Sequence, residues 1–333
     1  MKALTFNRYG KSPGIGFADV PRPTPKADEL LVEVHASGVN PIDNMIPTGI
    51  FKAVVKFQLP ATLGSDLAGV VVEVGSRVTR FRVGDAVFAN IFDQGTGSIA
   101  EYAVVPESAA ALKPDNLDFV QAASIPMVGL TSWQAFKERL KLQSGQKVFI
   151  LAGSGGIGTF AIQLAKFMGA TVGTTTSTGN VELVRSLGAD EVVDYKKQKF
   201  EALLRGYDAV LGTVRGDSIE KAIGILKARG RIVSLVGPLD VAFARARRLN
   251  FILTFVFALL SRRIVRLARK RNVDYSFLFA RPDGDQLAEI GKLLETQSIR
   301  PVIDKVFTFE QAGEALAYLA QGRSKGKVVV QMR

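Results

Sequence analysis

Lys147-Val148-Phe149-Ile150-Leu151-Ala152-Gly153-Ser154-Gly155-Gly156-Ile157-Gly158 is the stretch that decides the fold. Residues 147–151 read as a short apolar strand, and Gly153, Ser154, Gly155, Gly156, Ile157 and Gly158 make a G-x-G-x-x-G loop. Beyond it, Ile157, Phe160, Ala161, Leu164, Ala165 and Met168 recur at helical spacing as one apolar face, and Gly169 can end that helix. The glycines have separate expected roles. Gly153 permits a tight turn, Gly155 lets the backbone approach a pyrophosphate, and Gly158 lets the helix pack close to the strand. The free N–H groups and the positive end of the helix dipole then face the diphosphate. A glycine turn can also be purely structural, but a strand before it and an amphipathic helix after it favour the binding role.

Working outward, the sequence predicts strands over 171–174, 191–194, 208–211 and 231–236. Helices are predicted over 181–187, closed by Gly188, and over 218–228, closed by Gly230. Such alternation implies an α/β fold, a Rossmann-type doubly wound parallel sheet with helices on both faces. Upstream the rhythm differs. Residues 30–34 and 69–74 are rich in β-branched side chains, residues 83–88 turn into a strand, and turn glycines recur at Gly38, Gly64, Gly75 and Gly84. This predicts a largely antiparallel β domain. After residue 283 come a helix over 285–294, a strand over 302–306, a helix over 309–320 and a strand over 327–331. The expected organisation is therefore 1–120, 121–282 and 283–333.

Composition sets bounds. The chain has 333 residues, enough for about two domains, and 47% are hydrophobic, enough for sizeable cores. The absence of cysteine excludes disulfides, a thiol nucleophile and thiolate metal ligands. No secretory signal is read at the N-terminus and no apolar run reaches the ~20 residues of a membrane span, so a cytoplasmic chain is expected. The net charge of +12 is local: residues 245–271 hold nine basic side chains and no acid. Nucleic acid is not the expected partner, because aromatics are not interleaved with these arginines.

The dinucleotide fingerprint calls for an Asp or Glu about 20 residues on, to bind the ribose 2′-hydroxyl of NAD. Gly173-Thr174-Thr175-Thr176-Ser177-Thr178-Gly179-Asn180 contains none; the next carboxylate is Glu182. Hydroxyls can donate to a 2′-phosphate that a carboxylate would repel. Thr176, Ser177 and Thr178 therefore predict NADP(H), although threonines here also serve as strand formers and a helix cap. Arg185, on the following helix, could assist.

Gly38-Val39-Asn40-Pro41-Ile42-Asp43, Leu63-Gly64-Ser65-Asp66-Leu67-Ala68-Gly69, Val83-Gly84-Asp85-Ala86-Val87, the glycine loop and Gly326-Lys327 together resemble the medium-chain dehydrogenase/reductase superfamily, end to end. The run 174–178 with Leu187-Gly188-Ala189-Asp190 and Asp194-Tyr195 is similar to its quinone oxidoreductase and enone reductase branch. The resemblance implies that the first and last segments form one GroES-like catalytic domain around the cofactor domain, and that the chain is a homodimer. The positions of the catalytic zinc ligands in zinc-dependent members match Asn40, Ser65 and Met127, which make no plausible zinc set. The only histidine, His35, sits in a strand-like run as a packed or edge residue, so no metal is expected. Without a Lewis acid the acceptor must take hydride readily, as quinones and α,β-unsaturated carbonyls do.

Carried over residue by residue, the resemblance implies that Asn40 contacts the nicotinamide or the substrate oxygen and that Asp43 orients its loop. Thr131, at an expected helix start, contacts the cofactor, and Tyr195 lies by the 2′-phosphate or adenine. Relatives often carry a tyrosine two residues after the aspartate; Met45 stands here, which leaves proton delivery to solvent. Thr213, Gly237, Phe277 and Phe279 are expected at the carboxyl ends of sheet strands, where open α/β sheets bind cofactors. For all but the glycines a structural role competes. Two other functions stay open: an alkenal or enone reductase without quinone activity, and a non-catalytic NADPH-binding protein whose basic segment meets membrane or RNA.

That segment begins with the apolar run 249–260 and continues as Ser261-Arg262-Arg263-Ile264-Val265-Arg266-Leu267-Ala268-Arg269-Lys270-Arg271. Three readings compete: a core or lid helix with a solvated basic end, which is favoured, a dimer contact, and a helix lying on an anionic membrane.

Overall fold

Apolar side chains alternating through the first 112 residues build eight strands: β1 (Lys2–Phe6), β2 (Gly16–Asp19), β3 (Glu29–Val39), β4 (Ala61–Thr62), β5 (Asp66–Val74), β6 (Ala86–Asn90), β7 (Tyr102–Pro106) and β8 (Ala110–Leu112). Short helix α1 (Pro41–Met45) follows β3, and α2 (Phe119–Ala123) and α3 (Pro126–Trp133) follow β8. The chain, a computed structural model describing residues 1–55 and 57–333, divides into two units. One is Met1–Leu130 with Arg281–Arg333, and the other is Thr131–Ala280.

The second unit is built from β9 (Lys147–Ile150), α4 (Gly156–Phe167), β10 (Thr171–Thr176), α5 (Val181–Ser186), β11 (Glu191–Asp194), α6 (Phe200–Leu203), β12 (Tyr207–Gly212), α7 (Ser218–Ile223), β13 (Leu226–Ser234), α8 (Val241–Ala246), α9 (Phe251–Lys270) and β14 (Asp274–Phe277). Its six strands are all parallel in the order β11-β10-β9-β12-β13-β14. The order reverses between β9 and β12, which is where open α/β sheets bind their ligands. Phe149, Val210 and Ile232 on neighbouring strands pack with Tyr207, Ile223 and Ile264 as its core.

The chain then returns to the first unit as α10 (Gly284–Glu295), β15 (Ile303–Thr308), α11 (Ala312–Ala320) and β16 (Lys327–Gln331). The seven-stranded sheet runs β15-β16-β3-β5-β6-β8, with β7 also on β3; β15 and β16 are parallel and the other pairs antiparallel. Leu30, Val32 and Val34 alternate inward from β3 against Leu67 and Val71 of β5.

Three expectations are corrected. The first unit runs to Leu130 rather than to residue 120, because α2 packs on β3 and β5. Gly38 makes that approach feasible, since a Cβ there would sit 2.2 Å from the Ala123 carbonyl oxygen. The return begins at Arg281 rather than at 283. The helix expected over 218–228 stops at Ile223, because the Ile225 carbonyl accepts from Tyr207 N–H at 3.1 Å and Leu226 pairs with Tyr207 at the start of β13.

Candidate active site and dinucleotide site

In the first unit, three sequence motifs far apart in the chain bring their polar residues into one buried cluster. β3 ends at Asn40, which precedes α1; β5 opens at Asp66; and β16 opens at Lys327. Gly326 sets the last of these. Its φ of +93° is a conformation L side chains resist, and a Cβ there would lie 2.3 Å from the Val302 carbonyl oxygen. The antiparallel register of Val328 with Val39 then carries the lysine inward. Lys327 is 5% exposed, Asn40 2%, and Asp43 and Asp66 not at all.

The hydrogen bonds close on themselves. Lys327 Nζ donates to Asn40 Oδ1 at 2.5 Å and to the Val39 carbonyl at 3.2 Å, and lies 3.4 Å from Asp66 Oδ2. Asn40 Nδ2 donates to Asp66 Oδ2 at 2.9 Å. Asp66 Oδ1 accepts from Asn90 Nδ2 at 2.8 Å and from the Met127 N–H at 2.9 Å. Asp43 accepts from the Asn40 N–H at 2.7 Å and from the Ser65 hydroxyl at 2.5 Å.

Two carboxylates and one ammonium therefore share a volume without water-facing surface. Burial pushes Asp43 up to about 7, against the hydrogen bonds from Ser65 and Asn40 that pull it back. Burial likewise raises Asp66 and lowers Lys327, while their mutual attraction opposes both shifts. Protonation of Asp43 would leave the cluster electrically neutral.

The expected zinc positions Asn40, Ser65 and Met127 do come together, each bonded to Asp43 or Asp66. Their donor set does not fit zinc. It offers an amide, a hydroxyl and a thioether, and the nearby carboxylate oxygens already accept from protein donors, an ammonium among them. Among the described residues no three His, Cys, Asp or Glu side chains group as a metal site. His35 packs its ring on Phe119, centroids 4.2 Å apart, and its Nε2 lies 3.6 Å from Glu33.

In the second unit the glycine loop joins β9 to α4, with Gly155 as the N-cap. A Cβ on Gly158 would come within 2.4 Å of the Ala152 carbonyl oxygen and 2.6 Å of Gly153 Cα, so the helix packs against the loop as expected. A Cβ on Gly155 would meet only the Ala152 oxygen, at 3.5 Å, which leaves that backbone open to a ligand. The role given to Gly153 is corrected: the left-handed residue is Ala152, φ +55°, and Gly153 is needed because Thr174 Oγ1 would lie 2.2 Å from its Cβ.

Around the loop, Ser154 Oγ accepts from Asn180 Nδ2 at 3.1 Å, and Thr175 Oγ1 accepts from Ala152 N–H at 3.0 Å. Gly156 and Ile157 form the first turn of α4. Thr176 is the informative residue. It is 1% exposed and its hydroxyl has no hydrogen-bond partner, an orphan that a ribose or phosphate oxygen would satisfy. The residues present thus fit a dinucleotide.

The absence of an acid from 173–180 does not extend to space. Parallel pairing sets Asp194 of β11 beside Thr176, and the hydroxyl of Thr178, which follows Ser177, donates to its Oδ2 at 2.6 Å. That bond holds Asp194 below the usual carboxylate range. The Lys196 backbone N–H donates to Asp194 Oδ1, and the Lys197 ammonium lies 3.9 Å from Oδ2. Tyr195, 59% exposed, stands beside this corner. Arg185 pairs instead with Glu182 at 3.4 Å.

Other expected residues are placed as follows. Thr131 is buried inside α3 and not at a helix start, because α3 begins at Pro126. Thr213 follows β12 and gives its hydroxyl to the Leu151 carbonyl at 2.6 Å. Gly237 follows β13, with φ +94°. Phe277 and Phe279 pack edge-on against Phe243, at 5.2 and 5.7 Å between centroids. Asp240, unnoticed in the sequence, caps α8 through Phe243 N–H and accepts from Phe277 N–H at 3.0 Å. Asp66, Asn90 and Lys327 were also unread as site residues. Their signal was a polar side chain at an inward end of an otherwise apolar strand.

Comparison with known proteins decides the family. A model described as "Alcohol dehydrogenase GroES-like domain" matches residues 26–115, and one described as "Zinc-binding dehydrogenase" matches 187–330. The 2-methylene-furan-3-one reductase of Solanum lycopersicum is 35% identical, over 99% of this chain and 79% of its own. The chain belongs to the medium-chain dehydrogenase/reductase superfamily, in its quinone and enone reductase branch. Another member, the chloroplastic NADPH-dependent alkenal/one oxidoreductase of Arabidopsis thaliana, is 34% identical over the same shares. Among solved members of the superfamily, the quinone oxidoreductase from Coxiella burnetii superposes with a TM-score of 0.86 at 31% identity, covering 100% of this chain and 99% of that one. The fold is the family's Rossmann-type sheet with a GroES-like β unit.

Proposed function

We propose that the chain is a zinc-independent oxidoreductase that takes NADPH and reduces a quinone or an α,β-unsaturated carbonyl. The observation that carries this reading is the buried cluster of Asn40, Asp43, Ser65, Asp66 and Lys327. It fills the family's catalytic metal position with a self-satisfied polar network and no zinc donor set. Membership beside an alkenal/one oxidoreductase and a quinone oxidoreductase supports it. NADPH supplies the hydride when bound. Gly155 and the start of α4 would take its diphosphate, and Thr176, Thr178, Lys196 and Lys197 its adenosine end. Asp43 positions Asn40 and Ser65 at the family's catalytic position, and solvent returns the proton that balances the hydride.

NADPH oxidation measured with 1,4-benzoquinone and with a small enone, each against NADH, tests the reading. Turnover with at least one acceptor and faster turnover with NADPH are expected, unchanged by a chelator. Equal rates with NADH overturn the cofactor preference. NADPH binding without turnover would favour a non-catalytic binder, and turnover of the enone alone would favour an alkenal reductase. The reading includes a homodimer, since β14 ends its sheet with an unpaired edge, and light scattering checks it. It also includes a cytoplasmic location, which fractionation checks; no helix among the described residues is long and apolar enough to cross a membrane.

A further inference from the structure

Helix α9 is treated differently by the fold on its two sides. Phe257, Ser261, Ile264 and Ala268 recur at one helical stripe and turn inward, and Ile264 and Ala268 join the core of the second unit. The opposite side is open along its whole length. In the N-terminal half it is apolar: Phe251 is 82% exposed, Phe255 63%, Leu260 60%, Ile252 57% and Leu259 52%. Water rarely faces so many large apolar side chains on one helix without a partner that covers them. In the C-terminal half the outward positions are Arg262, Arg266, Arg269 and Lys270, followed by Arg271. Arg245 and Arg248, also exposed, stand before the apolar end. Arg263 reaches Glu220 at 2.8 Å, but no ion pair engages Arg262, Arg266, Arg269, Lys270 or Arg271 among the described residues.

We propose that the outer face of α9 docks on an anionic lipid surface, with Phe251, Phe255 and Leu259 among the acyl chains and the flanking arginines and Lys270 on the headgroup phosphates. The charge complementarity selects this occupant. Residues 245–271 carry nine cations and no acid, so a second copy of the face would set nine positive charges against nine. A nucleic acid would meet the cations and leave the phenylalanines in water. A bilayer alone offers negative charge above and hydrocarbon beneath, within a few ångströms. Helix α9 is about 30 Å long at ~1.5 Å per residue, so its apolar and basic halves are each about 15 Å. Leu259 and Leu267 share one open depression on this helix with Arg262, Arg263, Arg266 and Lys270, so apolar and cationic side chains lie side by side there. The proposal is independent of the reductase reading, and binding is measured without an electron acceptor.

The absence of cysteine allows a clean experiment. Phe255→Cys carries an environment-sensitive fluorophore, and Leu203→Cys, exposed on α6 of the same unit, is the control. The full chain is mixed with phosphatidylglycerol/phosphatidylcholine vesicles or with phosphatidylcholine alone, and co-sedimentation is read in parallel. The expected result is a blue shift at 255 and none at 203, with binding at least on the order of tenfold stronger to the anionic vesicles. It should be lost near 1 M salt, where the screening length is about 3 Å. Arg262→Gln/Arg266→Gln/Lys270→Gln should weaken binding by on the order of a hundredfold while the melting temperature holds. No co-sedimentation at low salt overturns the proposal, as does equal binding to both vesicle types. A shift at 255 that grows with protein concentration in the absence of vesicles assigns the face to a second copy instead. A shift produced by single-stranded RNA but not by vesicles assigns it to nucleic acid.

Discussion

Lys327 is the residue on which the first unit's interior turns. Among the described residues it is the only cation placed against Asp66, and both are buried. Removing one member of such a pair leaves an uncompensated buried charge, which costs about 3–5 kcal/mol. Lys327→Met should therefore lower unfolding free energy by that amount in urea titrations, and Asp66→Asn added to it should recover a large part. Asp43 sets a pH dependence. Its folded value of about 7 lies above the ordinary 3.8, so between those values the folded chain keeps a proton the unfolded chain has released. Stability is fully present below the unfolded value and falls as pH rises through 7. Asp66, raised by the same burial, adds to that slope. Asp43→Asn can still accept from Asn40 N–H, and it should flatten the melting temperature between pH 4 and about 7. Unchanged slope in the variant would place the proton elsewhere.

Among the elements, the β9–loop–α4 unit was the most legible part of the sequence, because each glycine answers a local steric demand that composition displays. Gly158→Ala should destabilise the unit and weaken cofactor binding together, since its Cβ would press on the loop backbone. Gly155→Ala should melt as the parent does yet bind NADPH at least ~tenfold more weakly, because its Cβ meets only the Ala152 oxygen, at 3.5 Å, within the protein and would stand where the backbone must approach the diphosphate. Thermal melts and fluorescence titration separate the two. Less legible was the end of α7. Gly224, the C-cap of α7, is a local stop signal inside 218–228, and a nonlocal partner, Tyr207, then claims Leu226 for the sheet. The cofactor corner was half legible for a related reason. The local stretch 173–180 holds no acid, while the parallel register of β10 with β11 sets one beside it and brings Lys196 and Lys197 with it. Lys196→Ala/Lys197→Ala should cut the NADPH over NADH ratio in kcat/KM by at least about tenfold, the worth of one charge-assisted bond.

For the whole molecule, the order of the segments was readable and their limits were not. Helical and strand periods mark where α/β alternation begins, but not that α2 belongs to the preceding sheet through Gly38. The buried cluster was out of reach for the same reason. Asn40, Asp66 and Lys327 each look like an ordinary motif residue, and only strand pairing shows that they meet. Division into two units predicts unequal response to the cofactor. At NADPH about 100-fold above Kd, hydrogen exchange in Thr131–Ala280 should slow by the equivalent of ~2.7 kcal/mol. Uniform slowing across the chain would mean that the two units open as one.

Lys327 also lies 261 positions after Asp66 and 287 after Asn40. During synthesis the N-terminal residues are made first, yet their charged interior must wait until the entire second unit has left the ribosome. That unit is continuous in sequence and can close on its own schedule. The first 130 residues meanwhile carry Asp43 and Asp66 without Lys327, the cation that meets them in the fold. A chain ending at residue 280 and released from the ribosome should accordingly resist protease over 131–280 and be cut freely before it. The last segment to be made is thus a timer for the first, and it delays the moment at which the reductase unit becomes competent until the nucleotide unit is in place.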